Sequence, residues 1–386
     1  MTDIEYMLRA VELAKRGTGA VNPNPLVGAV IVRDDKILAE GWHERYGELH
    51  AERNAIKHYY EKNETGSLKG ATIYVTLEPC CHHGKQPPCV DAIIENGFAR
   101  VVIGSDDPNP LVAGKGIKKL RDAGIEVVTG VAKAECDAIN YVFFHYIMTK
   151  TPYVVMKYAM TIDGKIATVS GKSKWITGEG ARRRVHEDRA RYVGIMAGIG
   201  TVLADDPELT CRLNACGEDD GKSQAYTEAG SYINIRNPIR IICDTNLRTP
   251  LDSKLVKSSK EVRTILATAI TDEKAHEPYI ENGCEILVVP LEKSHIDLEY
   301  LMKKLGEMGI DSILLEGGGT LNFAALKSGI VNRVQAYIAP KIFGGKGAKT
   351  PVEGAGIPEV ADCVKLSETT VTMLDGDILI ESEIIK

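Results

Sequence analysis

The chain has 386 residues, 44% of them hydrophobic, and a formal net charge of −6. That length exceeds what one ordinary core supports, so two domains are expected. Neither half carries a basic excess, which excludes a nucleic-acid-binding surface of the usual kind. No apolar run approaches the roughly 18 residues of a membrane span. The start, MTDIEYMLRA, shows no basic residues leading into an apolar run. Nine cysteines, three of them between residues 80 and 89 and the rest scattered, suit a reducing cytoplasm, with the cluster doing metal or catalytic work.

Taken in order, Ile4, Met7, Leu8, Val11 and Ala14 recur at helical spacing after a Thr2 or Asp3 cap, and Gly17 can end that helix. VGAVIVRDDKILAEG predicts two strands about an Asp-Asp turn. HAERNAIKHYY predicts a helix starting near His50, ATIYVTLEP a strand stopped by proline, and CVDAIIENG a short helix closed by Gly97. RVVIGS, GIKKLRDAG and IEVVTG continue the alternation, and AECDAINYVFFHYIMTK closes it as a helix. Such alternation predicts an α/β layered domain with a largely parallel sheet. Pro152 interrupts the pattern, and we place the boundary near residues 148–152, giving domains at 1–150 and 151–386. In the second half PYVVMKYAM, RYVGIM, IRIIC, VRTILAT, EILVV, DSILLEGG, RVQAYIA and GDILIESEI predict strands with helices between most of them. Residues 214–234 are polar and aperiodic, and read as a surface loop.

The first half carries a metal-ligand pattern. His50-Ala51-Glu52 is followed by Pro79-Cys80 and, nine residues on, Cys89. Zinc takes imidazole nitrogen and thiolate sulfur, and three protein ligands leave a position for water. Bound zinc lowers the pKa of that water toward about 7. A structural site needs no carboxylate two residues from its histidine, whereas a hydrolytic deaminase needs one to move the proton. Glu52 is therefore the expected catalytic residue. A closed structural site using Cys81, His82 or His83 as a fourth ligand is the competing reading.

In the second half two glycine-rich corners follow predicted strands, MAGIGTVLADDP and LLEGGGTLNFAAL. Neither matches G-x-G-x-x-G, so an ordinary Rossmann fingerprint is absent. Bare backbone at a helix start can cradle phosphate, though a tight turn is the commoner role of such a corner. Arg182, Arg183, Arg184, Arg189 and Arg191 fall in one predicted helix, mostly as a solvated face paired with Glu187 and Asp188. One or two of them could turn inward to a phosphate.

HAE, EPCCHHGKQPPC, VNPNPLVGAV and DPNPLVAGKG together resemble the deaminase half of the bifunctional riboflavin-biosynthesis deaminase/reductases. The eight residues between the cysteines, against two in other zinc deaminases, are the rule in that family. Cys81 stands where the family commonly has serine, outside the ligand positions. KYAMTIDGKIA, SGKSKWIT, TVLADDPELTCRL and LLEGGGTL resemble the reductase half, so the resemblance spans nearly the whole chain. It implies a cytidine-deaminase-like α/β/α domain followed by a dihydrofolate-reductase-like α/β domain. It implies zinc on His50, Cys80 and Cys89, Glu52 as proton shuttle, and Asn24 in the base pocket, where the residues alone suggest a plain turn. In the second half it implies NADPH against Ala159, Trp175, Thr201, Asp205, Thr245, Gly318, Gly319 and Thr320, although Trp175 reads equally well as a core aromatic. Lys157, Ser173, Arg189, Leu209, Arg212 and Glu316 are implied to meet the substrate. The expected activity is deamination of diaminohydroxyphosphoribosylaminopyrimidine, then NADPH-dependent reduction of its ribosyl chain to ribityl. The expected partners are that phosphorylated pyrimidine and further copies of the chain in a homo-oligomer, with neither nucleic acid nor membrane.

Overall fold

A capping box opens the chain: Thr2 Oγ1 accepts from the Glu5 N–H while the Glu5 carboxylate accepts from the Thr2 N–H. It starts α1 (Asp3–Lys15) in the computed structural model, which describes residues 1–109, 112–213, 224–227 and 232–385. Asp34 and Asp35 both take positive φ, as a two-residue hairpin turn requires, and join β1 (Gly28–Arg33) to β2 (Lys36–Trp42). Then come α2 (Ala51–Lys62), β3 (Thr72–Leu77), α3 (Cys89–Glu95), β4 (Arg100–Ser105), α4 (Lys115–Asp122), β5 (Glu126–Thr129) and α5 (Lys133–Thr149). The sheet order is β2-β1-β3-β4-β5. Only the β3/β4 and β4/β5 pairs are parallel, because the two-residue turn forces β1 antiparallel to β2; the sheet is mixed where the sequence suggested a largely parallel one.

Strand alternation builds three layers. Val30 and Val32 face α1 and α5 on one side, with Met7, Val11 and Cys136. Ala29 and Ile31 face α2, α3 and α4 on the other, with Ala55, Ile93 and Leu120. Gly28 permits the α1 approach, since a Cβ there would lie 1.9 Å from the Ala10 carbonyl oxygen.

The chain continues with β6 (Tyr153–Thr161), α6 (Glu179–Arg191), β7 (Gly194–Gly198) and α7 (Ile199–Asp205). Next comes a hairpin of β8 (Gln224–Tyr226) and β9 (Tyr232–Asn234). Contacts divide the chain into one unit of Met1–Thr149 with Asn214–Ile235 and another of Lys150–Leu213 with Arg236–Lys386. The hairpin thus groups with the first unit, where the Asn234 amide donates to the carbonyls of Arg16 and Thr18. Of the stretch expected to be a surface loop, 214–223 and 228–231 lie outside the described residues; Gln224–Tyr226 and Tyr232–Asn234 are paired strand, with Ala225 and Ile233 buried.

The second unit proceeds through β10 (Ile239–Cys243), α8 (Lys254–Lys257), β11 (Thr264–Thr268), α9 (Glu273–Glu281), β12 (Glu285–Val288), the short pair β13 (Leu291–Glu292) and β14 (His295–Ile296), and α10 (Leu298–Glu307). It ends with β15 (Ser312–Leu315), α11 (Gly319–Lys327), β16 (Val331–Ala339), a 3-10 turn at Val360–Asp362, β17 (Thr370–Leu374) and β18 (Asp377–Glu383). Its nine-stranded sheet has the order β12-β11-β10-β7-β15-β6-β16-β18-β17, parallel from β12 to β16. The late strand β15 inserts between β6 and β7. That makes a topological switch, and in open α/β sheets ligands bind at the carboxyl ends of strands beside such a point. No described helix is long and apolar enough to cross a membrane.

Candidate functional sites

The first-unit site gathers at three element ends. His50 is the N-cap of α2 in extended conformation, and its side chain makes no capping bond, leaving the imidazole for other partners. Cys80 follows β3 past Pro79, and Cys89 is the first residue of α3. His50 Nδ1 stands 3.5 Å from each of the two Sγ atoms, and the three ligand atoms lie within 4.8 Å of one another. Among the described residues no other His, Cys, Asp or Glu joins them, so Cys81, His82 and His83 do not complete a closed four-ligand shell. One imidazole and two sulfurs on converging backbone fit a zinc ion with an open position.

Bonds from Cys89 and then His50 pull the Cys80 thiol down to about 4 against its burial, and the Cys89 N–H adds a contact at 3.4 Å. Glu52 is only 3% exposed. Burial first, then the Cys80 sulfur, pushes its carboxyl up, toward holding a proton. A cavity of about 310 Å³ opens on His50, Glu52 and Cys80, and Asn24 lines it.

Sequence reasoning missed three other polar groups here. His43 is buried, with Nδ1 donating to the Leu49 carbonyl at 3.0 Å and Nε2 3.1 Å from the Asn24 amide nitrogen. Burial pushes the Asp107 carboxyl up to about 6, and this group also lines the cavity. Glu78 accepts from the N–H groups of Gly114, Gly116 and Ile117 and so ties the α4 start beside Cys80. Neither His43 nor Asp107 has a diagnostic spacing to a ligand; the Glu-Pro-Cys run was the one available signal for Glu78.

In the second unit, sheet register assembles the candidate residues. Leu315 pairs with Met156 on β6 and Met196 on β7, so the next residues, Glu316 and Lys157, sit level at the carboxyl edge. Gly198 ends β7 opposite Cys243, the last residue of β10, and Thr245 follows. Glu316 and Arg189 form a fork-to-fork pair at 2.7 and 3.0 Å, and Lys157 Nζ approaches Glu316 Oε2 at 3.5 Å. Burial alone would push Glu316 up; Arg189 and Lys157 outweigh it and hold the carboxyl well below its ordinary range.

The two glycine corners lie together. A Cβ on Gly318 would meet Thr201 Oγ1 at 3.6 Å, and one on Gly198 would meet Leu321 at 3.5 Å. Both glycines are helix N-caps without side-chain capping bonds. For α11 this leaves the first-turn N–H groups of Gly319, Thr320 and Leu321 without a side-chain acceptor, which suits the phosphates of a dinucleotide.

The other predicted positions are more scattered. Ala159 lies on β6 beside Tyr337, and Ser173 is half-buried in the loop after it. Trp175 is 63% exposed with the Arg182 guanidinium 4.8 Å from its ring centre, so it is not a core aromatic. Asp205 ends α7 exposed, and Thr320 is exposed. The Leu209 side chain is packed in the core with Ile195 and Ile242, so this position can meet a ligand through backbone alone. Exposed Arg212 pairs with Glu208 at 3.5 Å. The α6 arginine set departs from the expected solvated face. Glu187 and Asp188 are buried, and Arg184 pairs with Asp188 at 3.6 Å.

Two family models match. The cytidine and deoxycytidylate deaminase zinc-binding region covers residues 1–105, and the RibD C-terminal domain covers 152–380. The riboflavin biosynthesis protein RibD of Actinobacillus pleuropneumoniae is 54% identical over 100% of this chain and 96% of its own length. Its Escherichia coli counterpart is 41% identical over 98% of each. A Thermotoga maritima diaminohydroxyphosphoribosylaminopyrimidine deaminase/5-amino-6-(5-phosphoribosylamino)uracil reductase superposes with a TM-score of 0.82 at 38% identity, covering 99% of both chains. The carboxyl-edge cluster and the three-ligand centre therefore sit in matching halves of one known architecture, and the chain belongs to the RibD family of riboflavin-biosynthesis deaminase/reductases.

Proposed function

We propose that residues 1–150 deaminate diaminohydroxyphosphoribosylaminopyrimidine and that residues 151–386 reduce the ribosyl chain of the product with NADPH. The observation that carries the first half is a buried carboxylate, Glu52, beside a three-ligand His-Cys-Cys centre that opens on a cavity. His50, Cys80 and Cys89 would hold a zinc ion, whose Lewis acidity would make a water nucleophilic near neutral pH. Glu52 would take the proton that this water gives up and pass it to the ring nitrogen and the departing ammonia, a role its burial beside the centre and on the cavity suits. Asn24 reads the pyrimidine edge.

In the second half bound NADPH would supply the hydride to the opened sugar. Gly318, Gly319 and Thr320 would hold its phosphates, and Ala159, Trp175, Thr201, Asp205 and Thr245 would hold the rest. Lys157, Arg189 and Glu316 form a rigid charged floor, and Arg212, Ser173 and the Leu209 backbone take the substrate and its phosphate. The Arg189–Glu316 fork fixes both groups before substrate arrives, which lowers the ordering cost of binding.

The exposed Val371 and Met373 on the edge strand β17 support self-association as a homo-oligomer. No described cysteine is joined in a disulfide, which supports a reducing, cytoplasmic setting. The test supplies the diaminopyrimidine phosphate and follows ammonia release and NADPH absorbance separately. Ammonia without NADPH consumption refutes the reductase half alone, and NADPH consumption only on deaminated substrate refutes the deaminase half.

A further inference from the structure

We infer that Asn140 is a positioning residue for the deaminase, fixing the loop that presents Asn24 to the substrate. This rests on the reading that the cavity beside Glu52 takes the pyrimidine. Asn140 is 1% exposed on α5. Its Oδ1 accepts from the Leu26 N–H at 2.8 Å and its Nδ2 donates to the Leu26 carbonyl at 2.9 Å, across 114 residues of sequence. Those are the two bonds that a neighbouring strand would give Leu26, supplied by one side chain.

The loop needs such an anchor. Pro23 and Pro25 have no N–H, and the Asn24 N–H is spent on the Val21 carbonyl. The next residue, Val27, is held through its carbonyl by the His43 N–H at 2.9 Å, and the β1 ladder begins at Gly28. Leu26 is thus the residue through which the segment carrying Pro23, Asn24 and Pro25 along the cavity is tied to α5.

The same helix builds the cavity wall. Phe143, Tyr146 and Ile147 line it and follow Asn140 by three, six and seven residues, close to one face of the helix. The fork therefore sets where Asn24 stands relative to the wall formed by its own anchor helix. A buried amide that only stabilised the fold would have no reason to affect substrate affinity. One that sets the Asn24 position should affect affinity before it affects the chemical step at Glu52.

The experiment uses the zinc-loaded full chain with two variants. Asn140→Asp keeps the size and the acceptor but turns an oxygen toward the Leu26 carbonyl; Asn140→Ser leaves room for a bridging water. Misplacement of a contact group by about 1 Å can cost about a hundredfold. The expected result is a deaminase KM raised about tenfold or more, with kcat per zinc within about threefold of the parent and reductase kinetics on deaminated substrate unchanged. If Asn140→Asp does not accumulate, Asn140→Ser at reduced temperature decides alone. A deaminase KM within about twofold of the parent in the folded variants, whatever the loss in yield or melting temperature, overturns the proposal, as does a fall in kcat with KM unchanged. Glu52→Gln is assayed alongside. Full turnover by that variant defeats the deaminase reading itself, a result separable from any outcome at Asn140.

Discussion

Replacing Glu316 by glutamine should destabilise the second unit sharply. The side chains of Arg189 and Glu316 are 10% and 12% exposed, and Lys157 beside them is 14% exposed. Removing the negative charge leaves two cations sharing a buried edge, and among the described residues Arg189 keeps only neutral acceptors, the glutamine amide oxygen and the Thr210 carbonyl 2.9 Å from its Nη1. Breaking one side of a buried pair costs about 3–5 kcal/mol, because an uncompensated charge remains. At about 1.4 kcal/mol per tenfold, protection against hydrogen exchange in β15 and β6 should fall by roughly two to four powers of ten. Exchange read by mass spectrometry on peptides from those strands isolates this unit, which a whole-chain melt does not. Arg189→Met with Glu316→Leu should restore only part of the loss, since a packed apolar pair needs no compensation but Lys157 still lacks its carboxylate. The pH dependence has a definite sign. Glu316 is held below its ordinary value of 4.5, so its contribution is present above that pH and is lost as pH falls toward the lowered value. The deficit of Glu316→Gln against the parent should therefore shrink below about pH 4.5. A loss smaller than about 1 kcal/mol near neutrality, the range of an exposed pair, refutes the reasoning.

Three other perturbations test the sites. Glu52→Gln should lower deamination by about a hundredfold to ten-thousandfold while zinc content and NADPH consumption on deaminated substrate stay at the parent's level; ammonia release at the parental rate would contradict the proton-carrying role. Cys89→Ser removes one of the two sulfurs at the centre, so metal analysis after dialysis should show the zinc stoichiometry falling toward zero; an unchanged stoichiometry excludes Cys89 as a ligand. In Gly319→Ala the new Cβ meets the Thr350 carbonyl oxygen at 2.8 Å and Glu353 Cγ at 2.6 Å, so the α11 start or the 350–353 segment must shift. Overpacking of this kind costs about 1–3 kcal/mol, and NADPH affinity by titration should drop while deamination is untouched; parental affinity would remove the α11 start from the cofactor site.

The clustering of His50, Cys80 and Cys89 was legible because its parts are local. His50 and Glu52 share a helix start, and Cys80 and Cys89 bracket one loop, so spacing alone nearly fixes the geometry. Element types were legible for the same reason: period and caps are local, as the Thr2 capping box and the Asp34-Asp35 turn show. Long-range polar contacts were not. Asn140 reaches Leu26 across 114 residues, and nothing in AECDAINYVFF marks that asparagine. Arg240 is fully buried within the strand IRIIC, where its guanidinium is absorbed by Thr264, Ser258 and the carbonyls of Leu255 and Val262. Sequence shows a charged residue in an apolar strand and no reason for it. The α6 arginines misled for a related reason. Their (i, i+4) partners Glu187 and Asp188 look like surface pairs, but the helix packs that face inward.

The absence of G-x-G-x-x-G has a topological explanation in the nine-stranded sheet. In a Rossmann unit one strand-to-helix turn supplies all the glycines, because the pyrophosphate meets a single helix start. Here β15 arrives late in the chain and inserts beside β7, so two strand ends, Gly198 and the Gly317-Gly318 corner, stand next to each other although about 120 residues separate them. Each corner then needs only enough bare backbone for its own turn and for its neighbour. The clearance at Gly319 is set by Thr350 and Glu353, residues later still in the chain. A cofactor site of the kind proposed, divided among such distant segments, leaves no compact word in the sequence. What it leaves is a pair of short glycine corners, each unremarkable alone, whose adjacency follows from strand order.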